Sequence, residues 1–476
     1  MRARQRMVLV SQAGQAPCSN KGGRFPAAVA VALLLAVLLS LANPAASTAA
    51  SMQQSLPEAW TLREAVRFAL ANSPDSKAGL ARIEAARAGV TAERSAFLPQ
   101  LSVQSRYGQT NNPMYSFGNI LNQGAFHPGI DFNSPGRTDA LSLGVRIGYR
   151  LFNGWQDIAG LDGAKAREEA SRMELASVHS QLAFEVVRGF NAIRQAEGMV
   201  RAQEEAVKSA EAAAKVAKAR HDEGVLLRSE LLDLEVRQAA SREALLQARH
   251  GLALAQRVFA NLLGLEAGAM RIDTVVNDQP ATPPVETPVH RPELEGVDAM
   301  IRVAQARVRQ ANATLFPEVE GYAGYNTEKG FELDSSGDSW EAGVMLRYPL
   351  FDGGRSSAMR STARAGLAEA QEQRRKLALA IGLEVEQARL GQLDAKERLA
   401  VTAGVVEQAG ESARITRERF KEGQVKAADL IGVEARLTEA KVRRIMAESA
   451  DAIATAEMRR SLGLPQFEES APSAGQ

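Results

Sequence analysis

The stretch Tyr348–Ser356, YPLFDGGRS, lies where a strand pattern changes into a long helical one. Before it, apolar residues alternate over Trp340–Leu350, the period of a β-strand with one apolar face. After it, Gly353–Glu422 contains no proline. The related phrase YRLFNGWQD, at Tyr149–Asp157, precedes a second proline-free stretch, Gly154–Glu223. The sequence therefore predicts the same strand-to-helix junction twice.

The repetition extends well beyond this junction. Gly224 and Gly264 recur 199 positions later as Gly423 and Gly463. A proline-rich segment, Gln279–Pro288, separates the two copies, as expected of a linker. We predict a signal peptide over residues 1–50, a first structural repeat over 51–265, a linker over 266–289, a second repeat over 290–464 and a tail over 465–476.

The N-terminus has the layout of an exported protein. Five basic residues and no acidic ones occur in the first 50 positions, and a short apolar run, Ala27–Ala42, is followed by small residues. A retained membrane anchor is the alternative, but the run is shorter than a spanning helix needs. Removing this segment leaves 52 Lys and Arg against 56 Asp and Glu, so no basic excess indicates a nucleic-acid partner. Cys18, the one cysteine, would be removed with it.

Each repeat contains two strand patterns. Leu141–Leu151 alternates apolar with small or polar residues, as Trp340–Leu350 does, and the expected partners are Leu101–Tyr107 and Val319–Tyr325. Such segments are typical of outer-membrane barrel strands, although a half-buried strand in a soluble sheet would show the same alternation.

Each proline-free stretch predicts a helix of roughly 105 Å, which exceeds the size of a globular core. Apolar and small residues recur along both at alternating spacings of four and three, the spacing of a coiled-coil seam. In the first helix the seam includes Leu182, Val186, Gly189 and Ile193. Because so many seam residues are alanine or glycine, we predict closely packed helices rather than a free dimeric coiled coil.

Turn chemistry predicts how these elements connect. Asn153 and Asp352 are good N-cap residues at the two strand-to-helix junctions, and Gly154 and Gly353 allow backbone angles that branched side chains resist. Gly353→Val is therefore expected to reduce assembly.

The far ends of the long helices also carry turn signals. Gly224 and Gly423 follow glutamates where a helix C-cap needs a left-handed residue. Ser229 and Asp429 are placed to begin the returning helices. Each long helix is expected to turn back sharply at a tip.

Four strands cannot close a barrel alone, because the smallest membrane barrels have about eight. The two-fold repeat, the Asn72-Ser73-Pro74 and Arg291-Pro292-Glu293-Leu294 openings, the Leu-Phe-(Asn/Asp)-Gly junctions and the Arg-x-x-x-Gly tips together resemble the TolC family of outer-membrane efflux proteins. The resemblance covers essentially the whole chain after the leader.

The resemblance implies a mainly α fold with a small β part. Four strands per chain would give a 12-stranded barrel in a homotrimer, embedded in outer-membrane lipid and continued by a 12-helix tunnel into the periplasm. It further implies docking to a periplasmic adaptor and an inner-membrane pump, for efflux or type I secretion, without a cofactor.

The tips depart from the family pattern. Phe420 and Val425 stand where tyrosine and arginine often form locking hydrogen bonds, so mutating them is expected to open the channel less than cutting polar bonds would. Asp429 is kept and is matched by Glu230, with Asp233 nearby. We predict that these acids form a cation-attracting periplasmic constriction, with simple helix-start acids as the alternative.

Other functions fit less well. The five histidines are scattered, without metal-ligand spacing, a phosphate loop or a nucleophile motif, so we predict no enzyme. A periplasmic coiled-coil adaptor or tether is the alternative, although it would not need four amphipathic strands. The first repeat also contains a longer loop, Gly108–Thr138, which is expected to face the outside or to be a disordered spacer.

Overall fold

The computed structural model describes residues 57–266, 270–273, 279–284 and 289–467. The elements follow in the order α1 (Leu62–Asn72), α2 (Pro74–Ser95), β1 (Gln100–Thr110), α3 (Pro113–Asn122), β2 (Thr138–Phe152), α4 (Gln156–Asp222), α5 (Arg228–Leu262), α6 (Pro292–Ala313), β3 (Glu318–Gly330), β4 (Ser335–Arg347), α7 (Arg355–Lys421) and α8 (Ala427–Ser461). The predicted signal peptide, Cys18, part of the linker and most of the tail lie outside the described residues. The prediction of a mainly α fold with a small β part is confirmed.

The four strands form one antiparallel sheet in the order β1-β2-β3-β4. Val103 pairs with Val145, Val145 with Tyr325, and Tyr325 with Trp340, so one register runs across all four strands. The pairing predicted within each repeat is confirmed, and β2 with β3 joins the repeats. Strand β4 ends at Arg347, so the alternating pattern predicted as far as Leu350 continues beyond the strand.

Helices α4 and α7 dominate the molecule. Each contains 67 residues, or roughly 100 Å at 1.5 Å per residue. Each turns back into a 35-residue helix, α5 or α8, and packs along it. Helix α4 also contacts α2, α6 and α8, while α7 contacts α6. The seam residues Leu182, Val186 and Ile193 are buried, as the periodicity predicts.

The main hydrophobic core lies where α1 packs on α4. Trp60 and Leu62 meet Val186 and Phe190 there, and Phe259 of α5 completes the cluster. Helix α1 begins with a capping box, because the Thr61 hydroxyl accepts a hydrogen bond from the backbone N–H of Glu64 and the Glu64 carboxylate accepts one from that of Thr61. A smaller core closes the helical tips around Phe420, Leu234 and Leu430.

The long loop of the first repeat is partly helical. The prediction of a loop over Gly108–Thr138 misses α3, which begins with Pro113 at its first turn after Asn112 accepts a hydrogen bond from the backbone N–H of Met114 at 3.1 Å. Strand β1 also extends to Thr110. Across the described segments, none of the helices combines enough length and apolarity to span a bilayer.

Candidate functional site

The sheet has two chemically different faces. Because side chains alternate along each strand, the register assigns every strand residue to one face. The first, here called the apolar face, consists mainly of Leu101, Val103, Leu143, Val145, Ile147, Tyr149, Ala323, Tyr325, Trp340, Ala342, Val344 and Leu346. The second, here called the polar face, includes Ser102, Gln104, Arg106, Arg146, Arg150, Glu318, Glu320, Asn326, Glu328 and Glu341.

The polar face pairs opposite charges across strands. Its arginines lie mainly on β1 and β2 and its glutamates on β3 and β4, and Arg146 reaches across β3 to Glu341 at 2.7 Å. The Arg146 guanidinium also lies over the Tyr322 ring, with 5.8 Å to its centroid. Arg150 contacts Asp157 at 2.7 Å and so joins the strand to the first turn of α4. The face is suited to contact with water, whereas the apolar face is suited to lipid.

The first strand-to-helix junction contains a cluster of three aromatic rings packed edge-to-face. Trp155 has φ of 66°, a left-handed conformation that is rare for a large residue. Its ring stands edge-on between Phe152 and Phe316, at centroid distances of 5.1 and 5.2 Å. Gly154 also has positive φ, and an added Cβ would lie 2.6 Å from the carbonyl oxygen of Ala313. This glycine is therefore required both by conformation and by space.

The second junction uses a carboxylate. Gly353 and Gly354 have φ of 68° and 87°, with open space where a Cβ would stand. Asp352 accepts hydrogen bonds from the backbone N–H groups of Gly354 at 3.1 Å and Ser356 at 2.8 Å. Hydrogen bonds from the Ser356 side chain and backbone hold the pKa of Asp352 below its ordinary value.

The predicted N-caps at these junctions are wrong by two residues. The N-cap positions are Trp155 and Gly354 rather than Asn153 and Asp352. At the second junction, Asp352 still accepts hydrogen bonds from backbone N–H groups at the start of α7, although it lies before the helix. At the first junction, no side chain caps α4, and Asn153 Nδ2 is buried without a hydrogen-bond partner. The left-handed residue after each Asn or Asp moves the helix start downstream.

The two helical tips end in the same motif. Gly224 has φ of 77°, and Gly423 has φ of 79°. The N–H groups of Val225 and Gln424 return to the carbonyls of Arg220 and Arg419, both at 2.9 Å, as in a Schellman motif. The predicted glycine turns are therefore confirmed.

The predicted starts of the returning helices are wrong by two or three residues. Leu227 and Lys426 occupy the N-cap positions, so Ser229 and Asp429 lie inside the first turn. These N-cap residues offer no side-chain oxygen, and the tight turn after the glycine rather than a capping side chain sets each helix start.

Arg220 joins the two tips. Its Nη1 donates a hydrogen bond to the carbonyl oxygen of Phe420 at 2.8 Å, and its guanidinium lies over the Phe420 ring at 5.6 Å from the centroid. A Cβ on Gly423 would lie 2.7 Å from Arg220 Nη2, so the glycine also leaves room for this side chain. Sequence reasoning missed this contact, although the Arg-x-x-x-Gly motif contains the arginine.

Phe420 and Val425 have packing roles at the tip. Phe420 is 1% exposed and belongs to the tip core, while Val425 is half-buried against the same cluster. Nearby, Arg417 of α7 donates a hydrogen bond from Nη2 to Glu434 of α8 at 2.9 Å. Hydrogen bonding to Glu434 raises the pKa of Arg417.

Of the three predicted constriction acids, Glu230 and Asp429 lie in the first turns of α5 and α8, and Asp233 lies in the second turn of α5. Asp429 is exposed and accepts a hydrogen bond from the backbone N–H of Lys426 at 3.4 Å. Glu230 is half-exposed and Asp233 exposed. Within one chain these acids lie on the surface of the tip and do not form a closed site. No group of three potential metal-ligating side chains occurs within the described ranges.

Comparison with known proteins shows which family has this architecture. The sequence profile of the outer membrane efflux protein family matches residues 65–265 and 284–464. The chain is 26% identical to protein CyaE of Bordetella pertussis over 66% of the chain and 64% of CyaE, so it spans slightly less than two thirds of that relative. It is 24% identical to the pyoverdine export outer membrane protein OpmQ of Pseudomonas aeruginosa, over 83% of the chain and 82% of OpmQ.

A solved structure gives the same fold. The outer membrane protein VceC of Vibrio cholerae superposes with a TM-score of 0.72 at 17% identity, covering 85% of this chain and 97% of VceC. With the profile match spanning both repeats, the chain belongs to the outer membrane efflux protein family.

Proposed function

We propose that three copies of this chain form an outer-membrane channel that exports substrates received from an inner-membrane pump through a periplasmic adaptor. The observation that carries the proposal is the four-stranded sheet with one apolar and one charged face. Strand β1 pairs only with β2, and β4 only with β3, among the described residues. Both edges are therefore available to strands of another copy.

Trimer assembly satisfies these edges. Four strands are too few for a membrane barrel, whereas three copies supply 12 and bring β4 of one protomer beside β1 of the next. The apolar face would then contact lipid and the polar face would line the water-filled interior. The helices of the three copies would continue the wall as a tunnel into the periplasm.

The relatives support an export role. OpmQ is named for pyoverdine export, and family members are efflux proteins. For this chain the pump would make most of the selection between cargo classes, and drugs, metal ions and secreted proteins are the candidates. Comparing the drug tolerance, metal tolerance and secreted proteins of a deletion strain with those of its parent would identify the class.

We further propose that the tip acids Asp429, Glu230 and Asp233 lie around the periplasmic entrance. Three copies would give a ring of carboxylates at the N-terminal turns of α5 and α8, where they favour cations. Lys426 and Arg228 occupy the same turns, so the net field at the entrance is weaker than the acids alone would produce. The same tips are the proposed contact for the adaptor.

Fractionation and bilayer recording test the proposal together. We expect heat-modifiable trimer bands in outer-membrane fractions and defined ion channels from the purified protein in planar bilayers. A matched control is a variant with charged residues on the apolar face, Val145→Arg with Trp340→Arg, which should be exported but should not assemble in the membrane. Recovery of the wild-type chain only in the soluble periplasm would instead favour an adaptor or tether.

A further inference from the structure

Helix α3 has no counterpart in the second repeat. It lies between β1 and β2, at the end of the sheet opposite the strand-to-helix junctions, where β3 and β4 are joined only by residues 331–334. In the proposed channel this end faces the outside of the cell. The contacts of α3 show which face of the sheet it covers.

All side-chain bonds from α3 to the strands reach polar-face positions. Asn119 donates a hydrogen bond from Nδ2 to Thr138 Oγ1 at 3.0 Å, and Asn122 donates one to Glu328 Oε1 at 3.4 Å. Thr138 is four residues before Ser142, and the register pairs Ser142 with Glu328. Alternation therefore places Thr138 and Glu328 on the face that also carries Arg146.

Two glycines support the same placement. An added Cβ at Gly330 would lie 1.9 Å from Gln123 Oε1, and one at Gly337 would lie 2.0 Å from the carbonyl oxygen of Asn122. Gly337 pairs with Glu328, so its missing side chain would project from the polar face. The end of α3 therefore rests directly on β3 and β4 from the polar side, at a distance that only glycine permits.

The connection is firmly held. Gln123 is fully buried and donates a hydrogen bond to the carbonyl oxygen of Asp139 at 2.7 Å. Asp139, also fully buried, accepts hydrogen bonds from the N–H groups of Phe331 and Glu332 at 3.0 and 2.7 Å. Because these bonds bring together β2, the β3–β4 turn and the end of α3, the helix is a fixed part of the sheet's outer end.

The orientation of α3 follows from its burial pattern. Ser116, Ile120 and Gln123 recur at helical spacing and are at most 3% exposed, so this side faces the wall. Met114 and Leu121, 79% and 50% exposed, lie on the opposite side of the helix, and Tyr115, 66% exposed, lies on its flank. With the wall behind α3 on the polar side, these apolar groups point toward the barrel interior.

We propose that Met114, Tyr115 and Leu121 line an apolar constriction at the outer mouth of the channel and determine which cargo passes it. This inference rests on the proposed trimeric channel. Three copies of α3 would narrow the opening and surround it with apolar side chains, which resist hydrated ions and favour organic or amphipathic molecules. The constriction is separate from the tip acids at the periplasmic end.

Cysteine modification provides the test, because Cys18 is the only native cysteine and lies in the predicted leader. Tyr115→Cys trimers in a planar bilayer would be treated from the outer side with a cationic methanethiosulfonate reagent. We expect single-channel conductance to fall about twofold or more. Phe331→Cys is the matched control, since Phe331 is 57% exposed at the same end but contacts Tyr107 of the apolar face.

A second variant makes the test independent of the label. The triple change Met114→Ser, Tyr115→Ser and Leu121→Ser should raise ion conductance about twofold with normal trimer yield, because polar groups admit hydrated ions. Full labelling of Tyr115→Cys, verified by mass spectrometry, with unchanged conductance would overturn the constriction. Absence of any channels from the wild-type protein would instead overturn the proposed function.

Discussion

Arg220 in the first repeat donates a hydrogen bond to the backbone carbonyl of Phe420 in the second repeat, 200 positions along the chain. The same guanidinium covers the Phe420 ring. One side chain thus ties the last turn of α4 to the last turn of α7. The tip is held by a bond between the repeats, although Phe420 and Val425 cannot supply polar side-chain bonds.

We expect Arg220→Ala to loosen the periplasmic end of the channel. A hydrogen bond from a charged donor contributes about 1.5–3 kcal/mol, and its loss leaves the Phe420 carbonyl without this partner. Bilayer conductance of the purified trimer should therefore increase. Arg419→Ala is the matched control, because Arg419 has the same position before its tip glycine but is exposed. Equal conductance of both variants would show that the hydrogen bond from Arg220 to Phe420 does not restrict the entrance.

Phe420 and Val425 are expected to affect the tip through packing. Phe420→Ala removes a ring that is 1% exposed and should lower the free energy of unfolding by about 3–5 kcal/mol. Val425→Ala should cost less, because Val425 is only half-buried. Thermal melting of the trimer would measure both changes. In a Phe420→Leu variant, which keeps most of the apolar volume, conductance should rise less than in Arg220→Ala.

The two junction glycines should respond differently to the same substitution. Gly353→Ala introduces a side chain at positive φ into open space, at a cost of about 1–2 kcal/mol. Gly154→Ala adds a close contact with the carbonyl oxygen of Ala313 to the same conformational cost. Trimer yield in outer-membrane fractions should therefore fall more for Gly154→Ala, and Gly353→Val should fall below Gly353→Ala. Normal assembly and efflux in Gly353→Val would refute the junction's need for glycine.

The sequence predicted what depends on periodicity and on local turns. Alternation gave β1 to β4, and the spacing of Leu182, Val186 and Ile193 gave the buried side of α4. The junction details depend on contacts distant in sequence. Trp155 adopts positive φ between Phe152 and Phe316, which no local preference predicts. Helix α3 was missed for a similar reason, since its buried side is defined by contacts with β2 and β4.

The site was harder to predict than the fold. The tip glycines were recognisable because left-handed residues end helices, but the partner of Arg220 lies in the other repeat. The role of Gly330 and Gly337 likewise becomes apparent only when α3 lies against them. Sequence spacing carries no information on contacts of this kind.

An ionic cluster at the start of α6 should make stability depend on acidity. Arg291 is 6% exposed and contacts Glu293 at 3.0 Å and Glu384 at 2.8 Å. Burial alone would raise the pKa of Glu293, but hydrogen bonds from Arg291 and Ser177 outweigh it and lower that pKa from its ordinary 4.5. Ionised Glu293 therefore stabilises the fold above about pH 4.5, and this contribution disappears as pH falls through the lower folded-state pKa.

Melting temperatures measured between about pH 7 and about pH 3 test this dependence. We expect the wild-type chain to lose stability on acidification, and Glu293→Gln to be less stable at neutral pH with a smaller acid-dependent loss. Glu372→Gln is the control, because Glu372 forms an exposed pair with Arg375 at 3.7 Å. An identical pH dependence in wild type and Glu293→Gln would exclude this carboxylate as a source of the effect.

The last prediction concerns the acids at the tip. Three copies of Asp429 and Glu230 should favour cations at the periplasmic entrance, since the fields of carboxylates around one opening add together. We expect cation selectivity and block by multivalent cations from the periplasmic side, both weakened in Asp429→Ala and less so in Glu230→Ala. Lys426→Ala provides the opposite control, because removing a cation from the same turn should strengthen selectivity.

These outcomes also separate the ring from ordinary helix-start acids. Asp429 accepts the Lys426 N–H at 3.4 Å, so its loss should slightly lower helix stability whether or not it acts on ions. Asp429→Asn keeps an oxygen that can accept this bond but removes the charge. If Asp429→Asn retains stability and loses selectivity, the charge acts on permeating ions. Unchanged selectivity and block in an Asp429→Ala, Glu230→Ala double variant would mean that the acids only start helices and that the constriction lies elsewhere.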